Sequence, residues 1–313
     1  MLDQIKVSFL RSLEVLVKPF LGYKIGERIP ILKTIFYSIQ DLSKPNKVKV
    51  FGQWLILNPS DRLISREIIL KGVFEEFETS LLSYFLHEGM TVLDIGANVG
   101  YYTLLAAQKV GNNGKVYAFE PDKDNFSVLV QNIEFNKHLN VECFQYAVSD
   151  EDGYLELYLS ADNKGDHRTR KVGGTIKNRD FYRVKSINVD NFFTEAEVYP
   201  EIIKMDIQGF EYFALVGMKD LIKRAKELAL FIEFWPHGLI TAGLDSPKIL
   251  YDLLENLDFE IFSIDEQSKQ VSRVENSETL INSILGESFT NLLCMKGEST
   301  KQLFNKYVKQ IKD

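Results

Sequence analysis

The hydrophobic pattern of residues 91–121 predicts a strand, a tight turn, a helix and a second strand. Val92, Leu93 and Ile95 form a short, branched apolar run that is typical of a buried parallel strand. Small residues follow at positions 96–100, and the next apolar positions recur at helical spacing. A second apolar run over 116–119 ends at Glu120. The segment is therefore a β-α-β unit with a carboxylate at the end of its second strand.

Strand and helix patterns alternate along the rest of the chain. Residues 48–57 alternate like a strand, and residues 65–88 have a helical pattern. Further strands are predicted over 141–148, 154–159, 202–207, 228–234, 259–264 and 290–295, and helices over 122–136, 210–224 and 248–257. Residues 160–180 are polar, basic and glycine-containing, which predicts a loop; loops this long in a compact domain are usually functional.

The first residues predict an amphipathic helix. Apolar side chains recur at helical spacing, at Leu2, Ile5, Phe9, Leu13, Leu16 and Phe20. Charged residues interrupt them, so the pattern fits neither a signal peptide nor a spanning helix. The stripe is expected to pack on its own domain or on a partner subunit, with a membrane surface as the alternative. We divide the chain into an N-terminal extension, 1–60, with a helix and a strand, and a domain over 61–313.

Composition narrows the class of protein. The chain has 313 residues, 45% of them hydrophobic and 26% charged, as in a globular protein. A net charge of −7 argues against nucleic acid as the substrate, which needs a basic footprint. Cys143 and Cys294 provide neither a disulfide framework nor zinc-ligand spacing. A cytoplasmic enzyme is expected.

The spacing at the turn indicates which ligand the β-α-β unit binds. A dinucleotide site has the pattern G-x-G-x-x-G, whereas this chain has Asp94-x-Gly96-x-Asn98-x-Gly100. Asp94 beside the turn would repel a pyrophosphate but would attract an amine or a sulfonium. Glu120 can accept hydrogen bonds from both hydroxyls of a ribose. These features together favour S-adenosylmethionine.

Several ordered blocks of sequence resemble one known family. The blocks are Gly72-Val-Phe-Glu75, Val92-Leu-Asp-Ile-Gly-Ala-Asn-Val-Gly-Tyr-Tyr-Thr103, Phe119-Glu-Pro121, Asn132-x-x-x-Asn136, Ala147-Val-Ser-Asp150, Ile203-Lys-Met-Asp-Ile-Gln-Gly-Phe-Glu211 and Phe231-Ile-Glu233. Over residues 67–265 the chain resembles the FkbM family of S-adenosylmethionine-dependent methyltransferases. The resemblance implies a doubly wound, Rossmann-like α/β fold with a mostly parallel seven-stranded sheet, its last strand antiparallel, and O-methylation of a hydroxyl on a sugar or related polyol. Gln208 departs from the family, which usually has glutamate there.

Two groups of site residues are expected at the carboxyl edge of such a sheet. The cofactor would contact Asp94, Gly96, Ala97, Asn98, Gly100, Tyr101, Glu120, Pro121, Ser149, Asp150 and Asp206. The acceptor would be a small molecule or a glycan, and Asp206, Glu233, His237 and His167 would act on it. Asp206 is the candidate base, and with Glu233 it could hold Mg²⁺. The basic residues of 160–180 would form a lid for an anionic acceptor.

Other interpretations remain open. Asp206 could cap the next helix, and Glu233 could pair with Lys204. The same cofactor could serve N- or C-methylation of a small metabolite or peptide. The chain could also be a non-catalytic S-adenosylmethionine-binding scaffold, with Gln208 marking the loss of activity.

Overall fold

The computed structural model describes residues 2–22, 44–58, 61, 64–160, 165–171, 179–194 and 198–310. The strands are β1 (Lys47–Val50), β2 (Gln53–Ile56), β3 (Thr91–Ile95), β4 (Lys115–Phe119), β5 (Val141–Phe144), β6 (Ala147–Val148), β7 (Gly153–Tyr158), β8 (Arg168–Lys171), β9 (Phe181–Ile187), β10 (Ile202–Met205), β11 (Leu228–Phe234), β12 (Glu260–Asp265), β13 (Gln270–Arg273) and β14 (Thr290–Lys296). The helices are α1 (Leu2–Gly22), α2 (Ile64–Lys71), α3 (Glu76–Phe85), α4 (Tyr101–Val110), α5 (Lys123–Asn136), α6 (Val189–Phe192), α7 (Glu211–Val216), α8 (Lys219–Arg224), α9 (Pro236–Ala242), α10 (Lys248–Asn256), α11 (Ser277–Ser283) and α12 (Glu298–Gln310).

The central sheet confirms the predicted doubly wound fold. Its eight strands have the order β13-β12-β14-β11-β10-β3-β4-β5. The five strands from β11 to β5 are mutually parallel, and β14 is antiparallel to both of its neighbours. Seven of the strands form the predicted sheet with its antiparallel last strand. The eighth, β13, pairs only with β12 in an edge hairpin.

Apolar side chains cover both faces of this sheet. Along β11, Leu230 and Ile232 lie in a cluster with residues of α7, α8 and α10. The alternate residue Phe231 lies in a second cluster with residues of α3, α4 and α12. This alternation explains why β11 is a continuous apolar run: a strand buried on both faces has no solvent side.

A second sheet, with the order β6-β9-β7-β8, was not predicted. The single strand expected over 141–148 is instead two strands, because Ala147 and Val148 leave the central sheet and pair with β9. The loop expected over 160–180 contains β8, which pairs with β7. Residues 161–164 and 172–178 lie outside the described residues, as do 59 and 60 of the predicted turn.

Two asparagines of α5 hold the N-terminal hairpin β1–β2 against the domain. The Asn132 side chain accepts a hydrogen bond from Ile56 N and donates to the carbonyls of Ile56 and Val99. One helical turn later, Asn136 makes the same paired bonds to the backbone of Trp54. The two side chains therefore bond to β2 as a neighbouring strand would.

Helix α1 packs only part of its predicted apolar stripe on its own domain. Leu2, Ile5 and Phe9 are exposed and Leu13 is half-buried, whereas Leu10 is buried against α2 and β1. The side chains of Leu16 and Phe20 lie outside the described residues. Contact of the exposed side chains with a partner subunit or a membrane surface remains a prediction. In the described part of the chain, no helix is long and apolar enough to cross a membrane. The division of the chain after residue 60 also remains a prediction.

We predict that Asn132→Ala destabilises the protein by roughly 2–4 kcal/mol, because two half-buried backbone groups of Ile56 and the buried carbonyl of Val99 lose their partner. The control is Asn113→Ala, which removes one exposed bond to Glu88 and should cost under about 0.5 kcal/mol. Urea unfolding of both variants measures the difference. Equal midpoints would mean that the hairpin contributes little to the stability of the domain.

Candidate active site

One cleft crosses the carboxyl ends of β3, β4, β10 and β11. Its first half, the Glu120 half, is lined by Glu120, Tyr146, Val148 and His167 among others. Its second half, the Glu233 half, is lined by Glu75, Asp94, Lys204, Glu233 and residues of α2. Both halves share Gly96, Asn98, Gly165, Asp206 and Gln208. The glycine turn predicted from the sequence therefore lies at the centre of the cleft.

The turn after β3 passes close to the turn after β10. A Cβ at Gly96 would lie 2.0 Å from the carbonyl oxygen of Asp206, so only glycine fits. Gly96, Asn98 and Gly100 all have positive φ, of 85°, 51° and 91°. Glycine adopts this conformation without strain, and asparagine tolerates it better than most residues. The residue types of the motif thus follow from the close approach of two backbone segments.

Glu120 occupies the position expected for a ribose acceptor. One carboxylate oxygen accepts a hydrogen bond from Asn98 N at 2.8 Å, and the other accepts from Asp122 N at 2.9 Å. Each oxygen retains a second lone pair for a ligand hydroxyl. Burial raises the pKa of Glu120 to about 8. Of the other predicted cofactor residues, Pro121 lines this half, and Ala97 and Tyr101 line the Glu233 half.

His167 lies in the Glu120 half. Its Nδ1 accepts a hydrogen bond from Ser160 N at 3.0 Å. The ring proton is therefore on Nε2, which faces Asp122 Oδ2 at 3.8 Å. This arrangement places His167 beside the expected nucleoside and does not support its predicted role as a base toward the acceptor.

Buried carboxylates dominate the Glu233 half. Asp94 accepts a hydrogen bond from the Thr103 hydroxyl, and burial raises the pKa of Asp94 to about 6. Burial and the nearby Glu78 raise the pKa of Glu75 to about 8. Lys204 is the buried cation among them, with Nζ 3.2 Å from Glu78 Oε1. Desolvation opposes its charge, but Glu78 and Asp206 outweigh it and raise the pKa of Lys204.

Gln208 joins the two carboxylates expected to act on the acceptor. Its Nε2 donates to Asp206 Oδ1 at 2.8 Å and lies 3.3 Å from both oxygens of Glu233. Gln208 has φ 56°, a left-handed conformation that turns the side chain back toward the cleft. Burial, with Asp206 as the second cause, raises the pKa of Glu233 well above its usual range. Burial therefore favours the protonated form of Glu233.

Asp206 and Glu233 do not have the two structural roles left open by the sequence, a helix cap and an ion pair with Lys204. Asp206 does not cap α7, which has no side-chain cap; Glu211 instead accepts from the backbone N–H groups of Ile207 and Gly209. Glu233 does not form an ion pair with Lys204, whose ammonium group contacts Glu78.

The residues present do not fit the predicted Mg²⁺ site. An amide N–H group, which cannot be a metal ligand, points at Asp206 and toward Glu233. Among the described residues, no group of three or more His, Cys, Asp or Glu side chains could hold a metal ion.

Some predicted residues lie outside the cleft lining. Ser149 is buried and donates to Asp150, while Ala147 and Val148 line the Glu120 half in their place. His237 is half exposed on α9, with Nε2 3.9 Å from Glu287 Oε1. Gly173, Gly174 and Lys177 of the predicted lid lie outside the described residues.

Three basic residues of the predicted lid, Arg168, Lys171 and Arg179, are already partnered, whereas Arg170 Nε is buried without a hydrogen-bond partner among the described residues. Arg168 stacks on Trp235 at 4.4 Å and bonds to Asp166. Arg179 also bonds to Asp166, and Lys171 bonds to Asp150 at 2.8 Å. Their charges are locally compensated, which weakens the case for a basic lid.

Three further residues of the site, Glu75, Glu78 and Tyr102, had no predicted role. The Tyr102 hydroxyl donates to Glu75 at 2.8 Å, and its ring lies 5.1 Å from the Lys204 ammonium. Glu75 lies in one of the sequence blocks that resemble the family, and this position in the block could have identified it as a site residue. Glu78 had no such signal, because its partner Lys204 is far away in sequence.

The sequence was also compared with protein families, curated proteins and solved structures. The sequence matches the family described as Methyltransferase FkbM domain over residues 94–261. No curated protein matches the sequence. Among solved structures, a methyltransferase FkbM from Methylobacillus flagellatus KT is 16% identical, with a TM-score of 0.41 over 74% of this chain and 52% of that chain. This chain therefore spans about half the length of that protein.

Two further solved structures hold a ligand. A methyltransferase from Streptococcus mutans in complex with SAH is 11% identical, with a TM-score of 0.41 over 71% of this chain and 96% of that chain. Fibrillarin from Aeropyrum pernix, with natively bound S-adenosyl-L-methionine, is 8% identical, with a TM-score of 0.38 over 70% and 74% of the two chains. These similarities are too low to carry an argument. The family match covers more than half of this chain and includes Asp94, Glu120, Asp206 and Glu233, so the chain belongs to the FkbM methyltransferase family.

Proposed function

We propose that the protein is an S-adenosylmethionine-dependent O-methyltransferase acting on a hydroxyl of a sugar or related polyol. One observation carries the proposal: a single cleft has Glu120 at one side of the glycine turn and a cluster of carboxylates at the other. The first side suits a ribose, and the second suits the cationic end of the same donor. Incubation with methyl-labelled S-adenosylmethionine and a cell extract, followed by identification of the labelled product, tests it.

The donor supplies an electrophilic methyl group on a sulfonium sulfur. Glu120 would accept hydrogen bonds from the ribose hydroxyls. The adenine ring would be enclosed by Tyr146, Val148 and His167. The Gly96 turn lets the backbone approach the ligand closely. Asp94, with a pKa of about 6, would provide the negative potential that favours the ammonium and sulfonium groups.

Asp206 is the proposed base because it lies where the two halves of the cleft meet. It would take the proton of the acceptor hydroxyl as the oxygen bonds to the methyl carbon and the carbon–sulfur bond breaks. Gln208 would hold Asp206 in place, and Glu233, whose pKa burial raises well above its usual range, would in its protonated form donate a hydrogen bond to the acceptor. The chemistry thus needs no cation between the two carboxyl groups.

Methylation of an amine is the second candidate. The carboxylates that suit a polyol would also attract a protonated amine, so the acidity of the Glu233 half favours both acceptors. Product analysis decides between them, because an O-methyl and an N-methyl group give different carbon chemical shifts. A bound donor with no labelled product from any extract would favour the scaffold interpretation.

We further propose a cytoplasmic enzyme that does not act on nucleic acid, in keeping with its net charge of −7.

Glu120→Ala should weaken S-adenosylmethionine binding roughly tenfold or more, because the two ribose hydroxyls lose hydrogen bonds that contribute about 0.5–1.5 kcal/mol each. Calorimetry on the folded variant measures this change. Glu134→Ala, on the exposed side of α5, is the matched control and should bind like the wild type. Unchanged affinity in Glu120→Ala would place the ribose elsewhere.

Asp206→Asn keeps the shape of the side chain and removes its charge. We expect labelled methyl transfer to fall by roughly 100-fold or more, with donor affinity nearly intact. The control, Asp252→Asn, changes an aspartate whose partner is Lys248 on the surface of α10. Full transfer activity in Asp206→Asn would remove this residue from the mechanism.

The ligand-free protein should lose stability as the pH rises. Burial raises the folded-state pKa of Glu75 and Glu120 to about 8, whereas an unfolded glutamate titrates near pH 4.3. The fold therefore favours their neutral forms, and its free energy of unfolding falls between about pH 4 and 8. We expect Tm to be lower at pH 8.5 than at pH 5.5, by roughly 5 °C or more.

Glu75→Gln should reduce the fall in Tm between pH 5.5 and 8.5, because it removes one group that the fold keeps protonated. Glu76→Gln is the matched neighbour: Glu76 is exposed and paired with Lys269, so its substitution should leave the pH dependence unchanged. Tm measured at both pH values for the three proteins decides. The same loss in Glu75→Gln as in the wild type would contradict the proposed electrostatics of the cleft.

A further inference from the structure

A groove outside the cleft runs between the edge of the central sheet and strand β9. Gln145 and Tyr146 border it on one side, and Tyr154, Tyr182, Arg183 and Lys185 border it on the other. Strand β5 is the last strand of its sheet, and β9 pairs with β6 only through its final two residues. The groove therefore lies between two incompletely paired sheet edges. It adjoins the Glu120 half of the cleft at Pro121 and Tyr146, which line both.

The aromatic walls of this groove are held in place. The Tyr182 hydroxyl donates to Asp122 at 2.8 Å and accepts from Lys123 N at 3.1 Å. The Tyr146 ring packs edge-on against Phe192 at 6.1 Å. Tyr154 is 58% exposed, although nothing in the core requires an aromatic residue at that position. Fixed and accessible aromatic rings offer flat faces at low entropic cost to a ligand.

The charge of the groove is opposite to that of the chain as a whole. Arg183 and Lys185 are exposed, project from the same face of β9, and have no ion pair with any described residue. The register places Lys185 opposite Tyr154 on that face. None of the described residues that line the groove is acidic. Glu156 stands opposite Arg183 in the strand register but accepts a hydrogen bond from Tyr158 and forms no ion pair with Arg183. Two cations without ion pairs to described residues, in a chain of net charge −7, indicate an anionic ligand.

We propose that this groove binds an acidic saccharide, such as a chain of uronic acid units. Arg183 and Lys185 would pair with the carboxylates, Tyr154 and Tyr182 would contact the faces of the sugar rings, and Gln145 would bond to hydroxyls. If the acceptor of the methyl group is itself such a chain, the groove holds units remote from the methylated one; this consequence rests on the proposed function, whereas the binding does not.

The test is calorimetric titration of the full chain with oligogalacturonate at low salt. We expect Arg183→Ala/Lys185→Ala to raise its Kd roughly tenfold or more, and Tyr154→Ala to raise it several-fold. The matched control is Lys223→Ala/Arg224→Ala, an equally exposed pair at the end of α8, which should bind like the wild type. A neutral dextran oligomer should not bind, and added salt should weaken the binding of oligogalacturonate.

Several outcomes would overturn the proposal: no binding of oligogalacturonate, equal binding of dextran, or equal weakening in both double variants. Preferential binding of single-stranded oligothymidylate or of a polyglutamate peptide would overturn it in favour of another polyanion. S-adenosylmethionine affinity should be the same in the wild type and in the groove variants. Saccharide binding can therefore fail while donor binding succeeds, and the reverse, so the groove and the methyltransferase function are tested separately.

Discussion

Negative charge buried at the carboxyl edge of the central sheet is the constraint on which the site depends. Parallel strands end at one edge, and here Asp94, Asp206 and Glu233 come from three adjacent strands. Glu75 joins them from the segment before α3. Carboxyl groups this close together and out of water cannot all be ionised. Protonation removes part of the negative charge, and the buried Lys204 and the amide of Gln208 compensate part of the remainder. The ligand-free cleft is therefore already arranged to bind a cationic ligand.

The backbone makes this concentration of charge usable. Gly96 contacts the Asp206 carbonyl, which brings the turns after β3 and β10 together and leaves one continuous cleft. Gly209 similarly packs on the backbone of Gly238, so the turn that carries Gln208 is held against α9. The positions of Asp206 and Gln208 are therefore fixed by backbone packing. The side chains of Asp206 and Glu233, which Gln208 joins, are thus held by backbone segments that are themselves closely packed.

Much of the fold could be predicted from the sequence, and the site in part. Strands such as β3 and β11 are buried on both faces, so their apolar runs identify them directly. Strand β8 reads Arg-Thr-Arg-Lys and has no apolar run, because it is a short strand at the edge of the second sheet. The break between β5 and β6 has no glycine or proline to mark it, and only the pairing of β6 with β9 shows it.

The site residues divide in the same way. Glu120 and Gly96 belong to one β-α-β unit, so their chemistry could be inferred locally. The Lys204–Glu78 pair and the bridge from Gln208 to Glu233 join distant segments, and no local pattern predicts such pairs. Helical spacing predicted that α1 is amphipathic, but not that Leu10 would be buried while Phe9 is exposed. Spacing defines a face of a helix, and packing decides its surroundings.

A crystal structure of the chain with S-adenosylhomocysteine tests the central claim most directly. We predict that the ribose hydroxyls lie within hydrogen-bonding distance of Glu120, and that the homocysteine crosses the Gly96 turn into the half that contains Asp94 and Asp206. An adenosine bound away from Glu120, or a ligand confined to one half of the cleft, would contradict this account.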